Sequence, residues 1–162
     1  MQTISASVLQ QSSDYIENNA YVQTDDFILH FGNSQPAIMV YLMAVEHDDL
    51  KQSERESLLF IGIKLWYATQ LVEPELAIVT PELLEKIIDN NLQMINYFSD
   101  ETETDLERQL GLVIDHHPQF EMLSFAMDEI VEDESLREII KGGLFVHLKT
   151  VIEALDAVNV VH

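Results

Sequence analysis

The run SERESLLFIGIKLWYATQLV, residues 53–72, decides the fold. Ser53-Glu-Arg-Glu56 has the spacing of a capping box, in which a hydroxyl and a carboxylate three residues apart satisfy two free backbone N–H groups at a helix start. The segment it opens is apolar on nearly every side, with Leu58, Leu59, Phe60, Ile61, Ile63, Leu65, Trp66, Tyr67, Ala68, Leu71 and Val72. A helix without a polar face is normally covered on several sides, so residues 58–72 predict a central helix with others wrapped around it. Glu73-Pro74 ends it, because the proline ring disfavours helical backbone at the preceding residue.

Helical spacing continues in both directions from this segment. Towards the N-terminus, one helix is expected from Ser5 or Ser7 to Tyr21, with Ile4, Val8, Tyr15 and Ile16 inward. A short one follows Thr24, a cap residue, and stops at Gly32-Asn33. The next starts near Pro36 and carries Ile38, Met39, Leu42, Met43 and Val45. Towards the C-terminus, Thr80-Pro81-Glu82 combines a cap, a proline suited to the first helical position and an acid near the positive end of the dipole. It opens an amphipathic helix through Phe98. An acidic turn over Ser99–Thr104, a helix over Asp105–Leu112 broken near Gly111 and Pro118, and a helix over Phe120–Val131 come next. Ser135-Leu-Arg-Glu138 reads as a second capping box, opening an apolar-rich segment through Val161 in which Gly142-Gly143 permits a kink or a close neighbour.

The expectation is an all-α protein: residues 1–162 form a single globular helical bundle of about six to eight helices, an ordinary domain size. A faint recurrence around Phe98–Leu110 and Ile130–Ile140 keeps a short α-repeat stack as the alternative. The final segment and residues 58–72 are both too apolar for a single buried stripe, so the final segment either lies centrally within the fold or completes its burial across a homodimer, and having two such helices favours the homodimer.

Charge bounds the partners. The chain carries 29 Asp and Glu against 8 Lys and Arg, a net charge of -21, yet 47% of its residues are hydrophobic. There is enough apolar material for a core, so the acid must lie on a surface, where it repels DNA, RNA and anionic lipid. Residues 1–50 hold seven acids and no Lys or Arg. Absence of Cys removes disulfides, thiolate metal sites and a thiol nucleophile. The opening Met1-Gln-Thr-Ile-Ser-Ala-Ser lacks the basic and apolar regions of a signal peptide, and no run approaches the roughly 18 apolar residues of a membrane span. A cytoplasmic location is therefore expected.

Motifs for chemistry are sparse. Ile114-Asp115-His116-His117-Pro118 resembles, over five residues, the signature of DHH-type phosphoesterases, whose aspartate and histidines hold two metals. The chain has no D-x-D and no alternating strand–helix pattern, so the string reads as a polar loop with Pro118 in the first turn of the next helix. No His has an acid three residues before it, which excludes the Glu-x-x-His pairs of a di-metal bundle. No nucleophile elbow or phosphate-cradling glycine loop is present. No catalytic residue, metal ligand or cofactor is assigned, and the chain reads as non-enzymatic.

The remaining signal is two acidic blocks: Asp100, Glu101, Glu103, Asp105 and Glu107, then Asp128, Glu129, Glu132, Asp133 and Glu134. They are the candidate partner-binding residues for a protein of uncharacterised activity that acts by protein–protein contact, an acidic face against a basic partner. The alternative is a small-molecule or metal site between helices, expected as a closed apolar pocket with a few polar groups near Trp66, Tyr67, His147 or Tyr41.

Overall fold

Residues 58–72 do lie in one long helix, but its start is built differently from the Ser53–Glu56 reading. The computed structural model describes residues 1–19, 21, 24–99 and 103–158, with side chains throughout except at 95, 97–99 and 103–107. In chain order the helices are α1 (Ala6–Asn18), α2 (Asp25–Ser34), α3 (Pro36–Ala44), α4 (Gln52–Val72), α5 (Pro81–Ser99), α6 (Glu103–Asp115), α7 (Phe120–Glu132) and α8 (Glu138–Ala157). No strand occurs among the described residues.

The caps show which local signals survive folding. Ser5 caps α1 by accepting from the Val8 N–H at 3.3 Å, and Thr80 caps α5 by accepting from the Leu83 N–H at 3.2 Å. Thr24 precedes α2 as expected, but its hydroxyl donates to the Tyr21 carbonyl instead of capping. Neither predicted capping box forms. At α4 the reciprocal carboxylate is Glu54, not Glu56: it accepts from the Lys51 N–H at 2.9 Å, so the helix begins one residue before Ser53. At α8, Ser135 turns its N–H and hydroxyl to Asp133 Oδ1, at 3.0 and 2.5 Å, and the helix starts three residues later at Glu138. In both cases a different local partner, Lys51 for Glu54 and Asp133 for Ser135, takes the place of the expected box. Gly111 breaks nothing, since α6 runs through it to Asp115, and Pro118 precedes Gln119, the N-cap of α7, rather than entering the first turn.

The helices enclose one apolar core. Helices α1, α3, α7 and α8 pack on α4, while α4, α5 and α7 pack on α8. Trp66 is buried among Phe27, His30, Phe31 and Tyr67, and Leu144 to Ile152 of α8 are buried at every position. Burial of α4 and α8 is thus largely completed inside one chain. Phe120, the first residue of α7, is exposed. At Gly62 an added Cβ would stand 2.6 Å from Leu42 Cδ1, so the glycine leaves room for the Leu42 side chain of α3 to pack on α4.

Charged groups enter this core only with partners. Lys64 is 1% exposed and its ammonium donates to Glu17 Oε1 at 2.7 Å and Glu129 Oε2 at 3.0 Å. Lys149 on α8 donates to Glu153 Oε1 at 2.7 Å and to Asn91 Oδ1 of α5 at 2.8 Å. Buried Gln119 ties the first residues to α7 and α8: its Oε1 accepts from the Ile4 N–H, and its Nε2 donates to the Gln2 carbonyl and Asp156 Oδ1. Among the described residues no helix is long and apolar enough to cross a membrane.

Candidate functional site: the groove between α3 and α5

Every position of α3, PAIMVYLMA, is apolar or aromatic. Ile38 and Leu42 face the core, and this leaves other apolar side chains outside it, Val40 being 66% exposed. What keeps this outer face from being a plain surface is the segment after α4. Gln35, wholly buried before α3, donates from Nε2 to the Ala77 carbonyl and accepts at Oε1 from the Val79 N–H, both at 2.9 Å. This amide clamp lays the chain across the start of α3 and fixes where Thr80 and Pro81 begin α5.

The result is a groove of about 480 Å³. One wall is Pro36, Ala37, Val40 and Tyr41 of α3, and Ile78 and Val79 of the segment after α4 add to the lining. The other wall is Leu84, Glu85 and Ile88 of α5. The lining is almost wholly apolar and the groove is open to solvent, Ile78 being 57% exposed.

Polar chemistry sits behind one wall. The Tyr41 hydroxyl is 2.7 Å from His147 Nδ1. His147 Nε2, buried, is 3.5 Å from Glu46 Oε1 and has no hydrogen-bond partner among the described residues. Burial raises the Tyr41 phenol above its ordinary value, against a lowering hydrogen bond from Thr150, so it is neutral at any physiological pH. The Glu46 carboxyl is held below its ordinary value by His147 first and by the Arg55 charge, against burial. Glu46 has a positive φ of 52°, unusual for a residue with a side chain. Arg55 donates to the carbonyls of Leu42 and Val45 and closes this turn on α4.

The acidic residues named from sequence fall elsewhere. Asp100 and Glu101 lie outside the described residues. Glu103, Asp105 and Glu107 are on α6, with side chains outside the description. Asp128, Glu132 and Glu134 are exposed. Glu129 is engaged by Lys64, and Asp133 accepts from the Ser57 and Ser135 hydroxyls, which hold its carboxyl below the usual range although burial pushes it up. The structure brings Glu129, Glu132 and Asp133 together with Glu17 of α1, absent from the sequence list, around a depression of about 260 Å³. No group of three or more His, Asp or Glu among the described residues is placed to hold a metal ion.

Of the four residues expected to mark a pocket, Tyr41 lines the groove and His147 supports it from behind, whereas Trp66 and Tyr67 belong to the aromatic core packing. The groove is open rather than closed. Val40, Ile78, Leu84 and Glu85 escaped the sequence reading; their only signal was the apolar Ile78-Val79 between two helices, where a polar loop is usual. Comparison of this chain with protein families, with curated proteins and with solved structures finds no match.

Proposed function

We propose that the protein is non-enzymatic and acts by binding a basic protein partner, with the groove between α3 and α5 as its contact surface. The observation that supports this reading is an apolar groove of about 480 Å³ held open on the surface of a chain with net charge -21. Exposed apolar surface of this kind marks binding sites. Apolar contact supplies affinity there, and the negative field attracts cationic partners and rejects acidic ones. Glu82, Glu85 and Asp89 add a local acidic line: spaced i, i+3 and i+7 on α5, they share one exposed side of the helix beside the groove.

A small apolar molecule is the second reading, because the groove volume falls within the roughly 300–1,000 Å³ of ligand pockets. One experiment separates the two. A photo-crosslinking residue at Val40 or Ile78 in cells should capture a basic protein. The purified pair should dissociate as salt rises and fail to form with V40D or I78D. Native mass spectrometry showing a co-purified small molecule, with no protein crosslink, would favour the second reading. The same probe at Asp128 tests the α7 acidic block, and crosslinks confined to it would move the interface there.

A further inference from the structure

We infer that the groove receives an amphipathic α-helix of about two to three turns whose Lys and Arg side chains run along the α5 edge. The inference rests on the protein-binding reading above and names the form and chemistry of the partner segment.

Backbone accounting selects the helix. An extended peptide carries free N–H and C=O groups at every residue, and these need partners when taken out of water. Strand-type docking meets that need with the edge of a sheet, but no strand occurs among the described residues: two walls are helices paired internally, and in the non-helical stretch Ile78–Thr80 the Val79 N–H is taken by Gln35. The lining offers almost nothing else, since the Tyr41 hydroxyl is already engaged by His147. A helix brings its hydrogen bonds with it and presents only side chains.

The wall spacing also suits a helix. On α3, Ala37 and Val40 are one turn apart; on α5, Leu84 and Ile88 are one turn apart, and exposed Leu92 extends the same row by another. Two neighbouring helices with such rows form a furrow into which the ridge of a third helix packs. From Leu84 to Leu92 the row is about 12 Å long, which matches two to three turns.

Charge fixes the rest. Glu82, Glu85 and Asp89 outnumber Lys86 on the exposed part of α5 that borders the groove. A second copy of this chain, itself at -21, would bring like charge against like. A segment apolar on one side and basic along the adjoining side meets both walls.

The test uses the full-length protein and three labelled peptides of about 14 residues, roughly four helical turns: a Leu/Lys amphipathic helix, a scrambled isomer of the same composition without an apolar stripe, and a Leu/Glu version with the stripe. The Leu/Lys helix should bind saturably, gain helical circular dichroism and bind at least about tenfold more tightly than either control. V40D and I78D, at exposed positions where folding can be checked by melting, should each weaken it by about tenfold or more. E82Q/E85Q/D89N should weaken binding at low salt and change it little at high salt. Equal binding of the scrambled isomer would show that charge alone is read and would overturn the inference. Equal binding of the Leu/Glu peptide, or indifference to V40D and I78D, would overturn it too. If a partner crosslinked at Val40 contributes an extended segment, the helix fails while the protein-binding reading stands; if only a small molecule occupies the groove, that reading itself fails.

Discussion

Glu54 illustrates how one residue gains a role that its neighbours in sequence do not foretell. Its side chain is fully buried and accepts from Arg137 Nε at 3.0 Å and Nη2 at 2.7 Å, from the Lys51 N–H and from the Arg137 N–H. Two helix starts, those of α4 and α8, are thereby tied to one carboxylate. Hydrogen bonds from Arg137 lead in pulling it down to about 2 from an ordinary 4.5, against the opposing effect of burial. A carboxyl with a depressed folded value stabilises the fold above its unfolded value, and that stabilisation is lost as pH falls from about 4.5 through 2. Glu54→Gln should cost about 1.5–3 kcal/mol at pH 7, the range for hydrogen bonds to a charged group. It should also flatten the loss of stability between pH 4.5 and 2. Urea melts of both proteins across that range check this, and an unchanged acid slope in the variant would show that Glu54 does not carry it. From the sequence, Ser53–Glu56 looked the better cap because capping boxes are local patterns; a guanidinium arriving from 83 residues away is not visible in that window.

At the scale of elements, legibility follows the source of each signal. Thr80-Pro81-Glu82 was readable because the cap, the first-turn proline and the helix all lie within a few residues, and α5 starts there. Helices α4 and α8 were readable as interior because they lack a polar face. The outward side of α3 was not: with nine apolar or aromatic residues in a row, no polar stripe says which way it turns. Its orientation is decided instead by the close approach to α4 at Gly62 and by the Gln35 clamp, both contacts between distant segments, and the groove was hidden for the same reason. The Gly62 approach makes a prediction. Alanine is favoured over glycine inside a helix by about 1 kcal/mol, but here its Cβ would meet Leu42 Cδ1 at 2.6 Å in a packed core, and such overpacking typically costs about 1–3 kcal/mol. Gly62→Ala should therefore be net destabilising, while in a Leu42→Ala background it should become neutral or stabilising. A double-mutant cycle by chemical denaturation measures the coupling; additive effects would mean that α3 does not rest on Gly62.

For the whole molecule, what matters is where the few cations go. Lys64 is held by Glu17 and Glu129, Lys149 by Glu153 and Asn91, Arg137 by Glu54, Lys141 by Glu138, and Arg55 by two backbone carbonyls. At least five of the eight Lys and Arg in the chain are thus engaged within the fold, which leaves the exposed acids facing water largely uncompensated. Self-repulsion among them opposes compaction, and it is the long-range component that salt screens. The buried pairs are screened far less. Raising sodium chloride from about 10 mM to 500 mM, where the Debye length contracts from about 30 Å to below 8 Å, should therefore raise Tm. Relief of about 1 kcal/mol would appear as roughly 2–4 °C for a chain of this size. Acid should act the opposite way: Glu54 and Glu153, both pulled to about 2 from an ordinary 4.5, stabilise the fold above their unfolded values, and that stabilisation is lost as pH falls from about 4.5 through 2. For Glu153 burial pushes upward, but donors from His117, Lys149 and Asn91 outweigh it. Stability should consequently hold from neutrality down to about pH 4.5 and fall below it. Calorimetric melts over pH 3–8 at low and high salt separate the two contributions: salt should raise Tm at pH 7, and Tm should fall below about pH 4.5 at either salt. A Tm that drops with salt at pH 7 would mean that surface ion pairs outweigh repulsion, and would remove the field on which selection of a basic partner depends.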